Sequence, residues 1–276
     1  MGRCIYCGQP AGFLRNKHRE CTEKHNQGWK TMIAMAQKAI LSGTAEGLED
    51  DLAAVAEKSF IPQQQVKEAL LAGWDKAIGH YLDDGFLDEE EEKQLVSFTE
   101  HFGFTQSDLD KKGSYTRFIQ GAVLHDLMEG KTPQRFRIDG IPFNFQKSES
   151  LIWGFNNVDY YEDKTRRQYV SGSQGVSFRI AKGVYYRVGG FRGHPVETTE
   201  RVYVDKGMLA VTTKHLYFGG NKKSFRVRLD KIVSFIPFSN GIGIQRDAAS
   251  AKPQYFITGD GWFIYNLLTN VSHIGN

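Results

Sequence analysis

The chain has 276 residues, of which 40% are hydrophobic and 24% charged, an ordinary globular balance that predicts packed cores and leaves room for two or three domains. No run approaches the roughly 18 uninterrupted apolar residues of a membrane-crossing helix. The start Met1-Gly2-Arg3-Cys4 lacks the apolar core of a secretory leader, and Tyr6 stands where a myristoylation signal has Ser or Thr, so a cytoplasmic protein without a transmembrane segment is expected. The formal net charge of +3 hides a division: residues 1–30 carry a net +4, residues 31–130 hold eight Lys and Arg against nineteen Asp and Glu, and residues 131–276 hold twenty-one against eleven. A chain divided in this way is either complementary to itself or turns opposite faces to different partners.

All three cysteines, Cys4, Cys7 and Cys21, lie in the first 21 residues. An odd number in a chain without an export signal argues against a disulfide framework. The spacing Cys4-x2-Cys7-x10-His18-x2-Cys21 instead supplies two ligand couples, and three thiolates with one imidazole make a closed tetrahedral Zn²⁺ site. His25 is the competing fourth ligand. Gly8 directly after Cys7 suits a tight turn whose amides can face the sulfurs. So small a unit cannot fold on buried surface alone, and the metal would supply the missing free energy. The segment resembles short Cys/His zinc fingers of the zinc-ribbon or treble-clef kind, and a domain over residues 1–26 is expected.

From Trp29 the pattern changes to a period near 3.6, with Trp29, Ile33, Ala36 and Ile40 on one face and Gly43 as the closing residue. Leu48, Leu52 and Val55 predict a second helix. Pro62 opens a third, whose buried stripe is Val66, Leu70, Trp74, Ala77 and Tyr81. Leu95, Phe98 and Phe102 follow an acidic loop, and Phe118, Ala122, Val123 and Leu127 mark a last helix ending at Gly130. Residues 27–132 therefore read as an acidic all-helical domain.

Its loop Asp83-Asp84-Gly85-Phe86-Leu87-Asp88-Glu89-Glu90-Glu91-Glu92 is not a calcium-binding EF-hand, because His80 and Leu82 would fall where carboxylates are needed. The helix, Asp-Gly, aliphatic residue and Glu-rich helix start resemble the TerB-like helical domains of bacterial tellurite-resistance and stress systems. That resemblance implies a second divalent-metal site at Asp83, Asp84, Asp88 and Glu91. The residues alone also fit a turn followed by a helix N-terminus stabilised by its acidic first turn.

After Pro133 short alternating runs appear, at Val176–Ile180, Val184–Val188, Arg201–Val204, Met208–Thr212, His215–Phe218, Ser224–Leu229, Ile232–Ile236, Ile242–Gln245 and Tyr255–Thr258, separated by glycine-containing turns. Phe263, Leu267, Val271 and Ile274 then fall at helical spacing. The stretch from Gly207 to Gly220, continuing through Lys222-Lys223-Ser224-Phe225-Arg226-Val227-Arg228 to Ile232, resembles GRAM and bacterial pleckstrin-homology-like domains. The resemblance implies an antiparallel β barrel closed by a C-terminal helix over residues 133–276, with lipid, peptide or protein binding and no catalysis. Two clusters are candidate ligand sites. Lys182, Arg187 and Arg192 lie among tyrosines and phenylalanine, the residue types that stack on bases and pair with phosphates, although strand alternation alone explains them too. Lys222, Lys223, Arg226 and Arg228 form a basic strip.

No Gly-x4-Gly-Lys-Ser/Thr loop, His-Glu-x2-His or Gly-x-Ser-x-Gly motif occurs, and His194, His215 and His273 stand apart in sequence. The expected fold class is α+β and multidomain. The expected function is a non-enzymatic adaptor that binds a protein partner, in a bacterial or phage stress or defence setting implied by the resemblances. The alternative is a nucleic-acid-binding protein that uses the zinc finger and the basic half together; an anionic lipid is a further candidate ligand, and the acidic domain could dock on the basic one within the chain.

Overall fold

The computed structural model describes residues 2–13, 15–133, 135, 140–173, 176–181, 184–188, 191–248 and 251–274, with backbone alone for those of residues 166–197 and for 272–273. The protein is a mixed α+β chain that divides into two compact units, 1–135 and 136–276.

The first unit opens with two short antiparallel strands, Gly2–Arg3 (β1) and Pro10–Gly12 (β2). Six helices follow: Arg19–Leu41 (α1), Leu48–Lys58 (α2), Gln63–Tyr81 (α3), Glu89–His101 (α4), Gln106–Leu109 (α5) and Ser114–Met128 (α6). The apolar spacing folds them onto one core. Met32, Ala36 and Ile40 of α1 meet Val66, Leu70, Trp74 and Ile78 of α3, with Leu52, Leu95, Phe98 and Phe118 closing the other sides. Gly28 sets how closely α1 approaches the end of α2, since a Cβ there would lie 2.2 Å from Ser59 Oγ. The helix α1 starts ten residues before the apolar period becomes visible at Trp29, because its first turns carry mostly polar residues. The boundary expected near residue 26 therefore falls inside one continuous helix.

In the second unit seven strands form one curled antiparallel sheet, a half-barrel. They are Leu151–Ser173 (β3), Phe191–Thr212 (β6), His215–Gly220 (β7), Ser224–Arg228 (β8), Ile232–Phe238 (β9), Gly241–Arg246 (β10) and Gln254–Ile257 (β11), in the order β8-β7-β6-β3-β11-β10-β9. Val176–Ala181 (β4) and Val184–Val188 (β5) pair as a separate hairpin. The rings of Tyr160, Phe218, Phe225 and Phe256 cluster with centroids 4.9–5.5 Å apart. The C-terminal helix Gly261–Ile274 (α7) brings Phe263 against Trp153 and Phe155, and its Ile264, Leu267, Leu268 and Val271 are fully buried. The barrel expected from sequence is thus an open curl with β8 and β9 as its edges among the described residues.

The central strand β3 was not among the expected strands. Its pairing with β6 is shifted between Leu151 and Trp153, between Phe155 and Val158, and between Tyr160 and Tyr161. Asn157, the seventh of its 23 residues, sits at φ 58. Each bulge breaks the alternation by which a strand is read, and Asn156-Asn157 looks like a turn. The runs Arg201–Val204 and Met208–Thr212 are one strand, β6. Among the described residues no helix is long and apolar enough to cross a membrane.

Candidate metal centre

The N-terminal knuckle is built by backbone pairing around its cysteines. The Cys4 amide donates to the Gln9 carbonyl at 2.8 Å, the Gly8 amide to the Cys4 carbonyl at 2.9 Å, and the Ile5 amide to the Asn16 carbonyl at 3.0 Å. Gly8 holds φ 71, a left-handed turn that a side chain would strain. His18 is the residue just before α1, and Cys21 lies in that helix's first turn. The knuckle and the helix thereby bring one ligand atom each from Cys4, Cys7, His18 and Cys21 to within 4.8 Å of one another, a group that could hold a metal ion.

The separations suit a tetrahedral ion. Ligands roughly 2.0–2.3 Å from such a metal stand about 3.5–3.8 Å apart, and His18 Nδ1 lies 3.3 Å from Cys7 Sγ and 3.7 Å from Cys21 Sγ. His18 Nε2 lies 3.0 Å from the Pro10 carbonyl oxygen. A carbonyl only accepts, so Nε2 carries the proton and Nδ1 turns its lone pair to the sulfurs, the outer-contact arrangement common to metal-binding histidines. His25, the competing ligand, instead meets Gln65 Oε1 at 3.1 Å and stacks beside Tyr6.

The electrostatics favour a cation among the sulfurs. Burial pushes the Cys4 thiol up, but the amides of Cys7, His18 and Tyr6 outweigh it and bring the group down to about 6. The His18 amide stands 3.4 Å from that sulfur. The Pro10 carbonyl and then Cys7 raise His18 above its ordinary value. Burial first, then Cys7 and Cys4, push Cys21 up to about 11. Cys4 is thus shifted towards the thiolate, while burial first and the neighbouring sulfurs second shift Cys21 towards the thiol.

The acidic corner is arranged differently. Asp88 Oδ1 accepts from the Glu91 amide at 2.8 Å and Glu91 Oε2 accepts from the Asp88 amide at 3.1 Å, a reciprocal cap on α4. Asp84 Oδ1 accepts from the Phe86 amide at 3.0 Å, and Asp83 stands in the turn beside it. Glu92 and Asp126 clamp Arg135, with Asp126 at 2.5 and 2.7 Å, and Glu89 holds Lys131 at 2.6 Å. Among the described residues Asp83, Asp84, Asp88 and Glu91 are not gathered into a ligand set.

Lys222, Lys223, Arg226 and Arg228 are all exposed, at the β7–β8 turn and along β8. Part of their charge is already matched. Arg228 forms a two-point pair with Asp230 at 2.9 and 2.6 Å, and Lys223 Nζ stands 3.6 Å from Glu162. Beneath them Asp205, 4% exposed, accepts from the amides of Lys206, Lys222 and Lys223 and so pins the turn. Lys182 lies outside the described residues, and Arg187 and Arg192 are described only as backbone positions of β5 and β6.

One buried network carries no sequence signal. The Glu149 carboxylate accepts from the Gln146 amide at 2.6 Å, Thr212 Oγ1 at 2.7 Å and the Tyr217 hydroxyl, with His215 Nδ1 at 2.9 Å. Burial raises Glu149, but the Tyr217 hydroxyl, the Gln146 amide, Thr212 and His215 outweigh it and bring the group down to about 2. His215 is therefore a satisfied structural histidine, tied to a residue 66 positions away. No hydroxyl or thiol in the network faces an imidazole as a nucleophile would, since Thr212 donates to the carboxylate. Compared with known proteins, the chain matches no family model, and no curated protein matches it either.

Proposed function

We propose that this chain is a non-enzymatic binding protein in which a structural zinc ion fastens the N-terminal knuckle to α1, while the basic β unit takes an anionic macromolecule. The observation that carries the reading is the convergence of three sulfurs and one imidazole on a single point. Zinc prefers four tetrahedral nitrogen and sulfur ligands. Four protein ligands leave no position for water or substrate, so such an ion organises the chain and does not hydrolyse anything. When bound it would crosslink residues 4–7 to the helix that runs into the first unit's core.

Other features support the binding role. The strand order, finished by α7, speaks for a pleckstrin-homology-like β unit, and the helical core speaks for a TerB-like one. In that reading the chain is an adaptor, and the bacterial or phage stress setting follows from the same likeness. The net +10 over residues 131–276 favours an anionic ligand.

Retention of the full chain on immobilised heparin, a generic polyanion, tests the reading. Binding should weaken steeply as salt rises, and K222E/K223E/R226E/R228E should weaken it further. Absence of retention at low salt, or turnover of ester, peptide or phosphodiester substrates lost on zinc removal, would contradict it.

A further inference from the structure

A cleft of about 500 Å³ opens on the first unit between α2, α3 and the bend after α4. Leu52, Val66, Leu70, Phe102 and Phe104 give it an apolar lining, and the two phenylalanine rings stack with centroids 5.8 Å apart. A second cleft of about 270 Å³ is lined by Ile40, Gln94, Phe98 and His101, among others. The two adjoin. Glu49, on the first, stands 3.6 Å from His101, on the second. Phe98 of the second meets Phe102 of the first at 4.8 Å between centroids. The Glu49 and His101 side chains that divide the clefts are 70% and 44% exposed, and such a surface contact gives way easily.

The charge around the larger cleft is mostly negative. The three segments that line it, 49–53, 63–70 and 102–104, hold four exposed carboxylates, Glu49, Asp50, Asp51 and Glu68, against one ammonium, Lys67. Lys67 is already matched, 3.0 Å from Asp108 and 5.8 Å above the Phe104 ring centroid. Glu49 has only His101 as an ion-pair partner among the described residues. The charge left unmatched at the cleft is therefore that of carboxylates.

We propose that the two clefts dock a basic amphipathic helix of a partner protein. Such a helix lays apolar side chains at i, i+3 or i+4 and i+7 into successive hollows of a groove. Two unequal clefts side by side offer those hollows, whereas a small molecule would fill one. Lysines and arginines flanking the apolar face meet Glu49 and the carboxylates around it, which speeds encounter and fixes register. The helix comes from another protein. In the second unit the helix among the described residues is α7, which has no Lys or Arg and buries its apolar side chains in its own unit. The inference is separate from the anionic-ligand reading, which concerns the basic β unit.

The test is fluorescence anisotropy with the full-length, metal-containing chain. The probe is a labelled peptide of about 16 residues, with leucine or phenylalanine at i, i+3, i+4 and i+7 and lysine at most other positions. One control peptide carries glutamate in place of lysine, and another carries serine in place of the apolar residues. The basic amphipathic probe should bind at least ~10-fold tighter than either control. Ala53→Trp puts a bulky ring on an exposed residue of the larger cleft. That variant and E49K/D50K should each weaken binding at least ~10-fold, with zinc content and circular dichroism retained. Asp83→Asn should change it little. If Ala53→Trp misfolds, hydrogen exchange of the unaltered chain decides: the probe should slow exchange in residues 49–53, 63–70 and 98–104. No binding, equal binding of the serine control, full binding by folded Ala53→Trp, or unchanged exchange would each overturn the proposal. A neutral apolar dye that occupies the larger cleft and is not displaced by the probe would assign it to a small molecule, and would overturn it too.

Discussion

The knuckle of Cys4, Cys7, His18 and Cys21 and the corner from Asp83 to Glu92 both concentrate metal-ligating side chains in the first unit, and they spend their lone pairs differently. In the knuckle the backbone serves the ligands: amides point at Cys4, and a carbonyl takes the far side of His18. In the corner the ligands serve the backbone and its neighbours. Asp88, Glu91 and Asp84 cap amides, while Glu89 and Glu92 hold Lys131 and Arg135. Burial, with Asp88 and Asp84 nearby, raises Glu91 above its ordinary value, so the corner accommodates its charge less readily than it would with a cation bound. A count of carboxylates is therefore a poor guide to a metal site. What matters is whether oxygen or sulfur lone pairs remain aimed at a common point.

Breaking the knuckle should give the largest effect. Cys4→Ser or Cys21→Ser should lower the zinc content from about one per chain to near zero. Limited proteolysis should then cut within residues 2–18, because structural zinc supplies on the order of 10 kcal/mol of folding free energy to such small units. The core around Trp74 should stay protected. Retained protection of residues 2–18 would mean that backbone pairing alone holds the knuckle.

The Glu149 network sharpens the contrast between carboxylates that are spent and ligands that are free. Glu149→Gln should destabilise the β unit by about 2–4 kcal/mol, since it strands hydroxyl and imidazole donors around a neutral amide. Glu149 is depressed in the folded state, so its contribution is present above the ordinary carboxylate range and is lost as pH falls towards about 2. Denaturation of the unaltered chain should accordingly steepen between about pH 4.5 and 2, and the variant should lose that dependence. An unchanged acid profile in the variant would show that other carboxylates govern it.

The smallest effects test the corner itself. Asp88→Ala should cost about 1 kcal/mol through the lost cap, equally with and without added divalent ions. Asp83→Asn, further from the cap, should change stability by less than about 0.5 kcal/mol. Thermal stabilisation of the unaltered chain by calcium or magnesium, lost in Asp88→Ala, would make the corner a metal site after all.

Much of this contrast is legible in sequence where the interactions are local. The Cys4-x2-Cys7 and His18-x2-Cys21 couples are close-range, and a turn with a helix start brings them together. The helices α2, α3, α4 and α6 follow their apolar period in the same way, whereas the four residues of α5 hold a single apolar side chain and were not expected. What escapes is either masked locally or non-local. The polar first turns of α1 conceal that Cys21 rides on a 23-residue helix. Bulges and Asn157 conceal β3, although it is the central strand. Nothing near Glu149 announces His215, because only the sheet brings them together.

Elemental analysis of the full chain, purified without chelators, tests the contrast most directly when it is paired with two variants. The account predicts about one zinc per chain, unchanged in D83N/D84N/D88N/E91Q and absent in C4S/C21S. Zinc absent from the unaltered chain, metal lost on changing the acidic corner, or metal kept after both cysteine changes would contradict it.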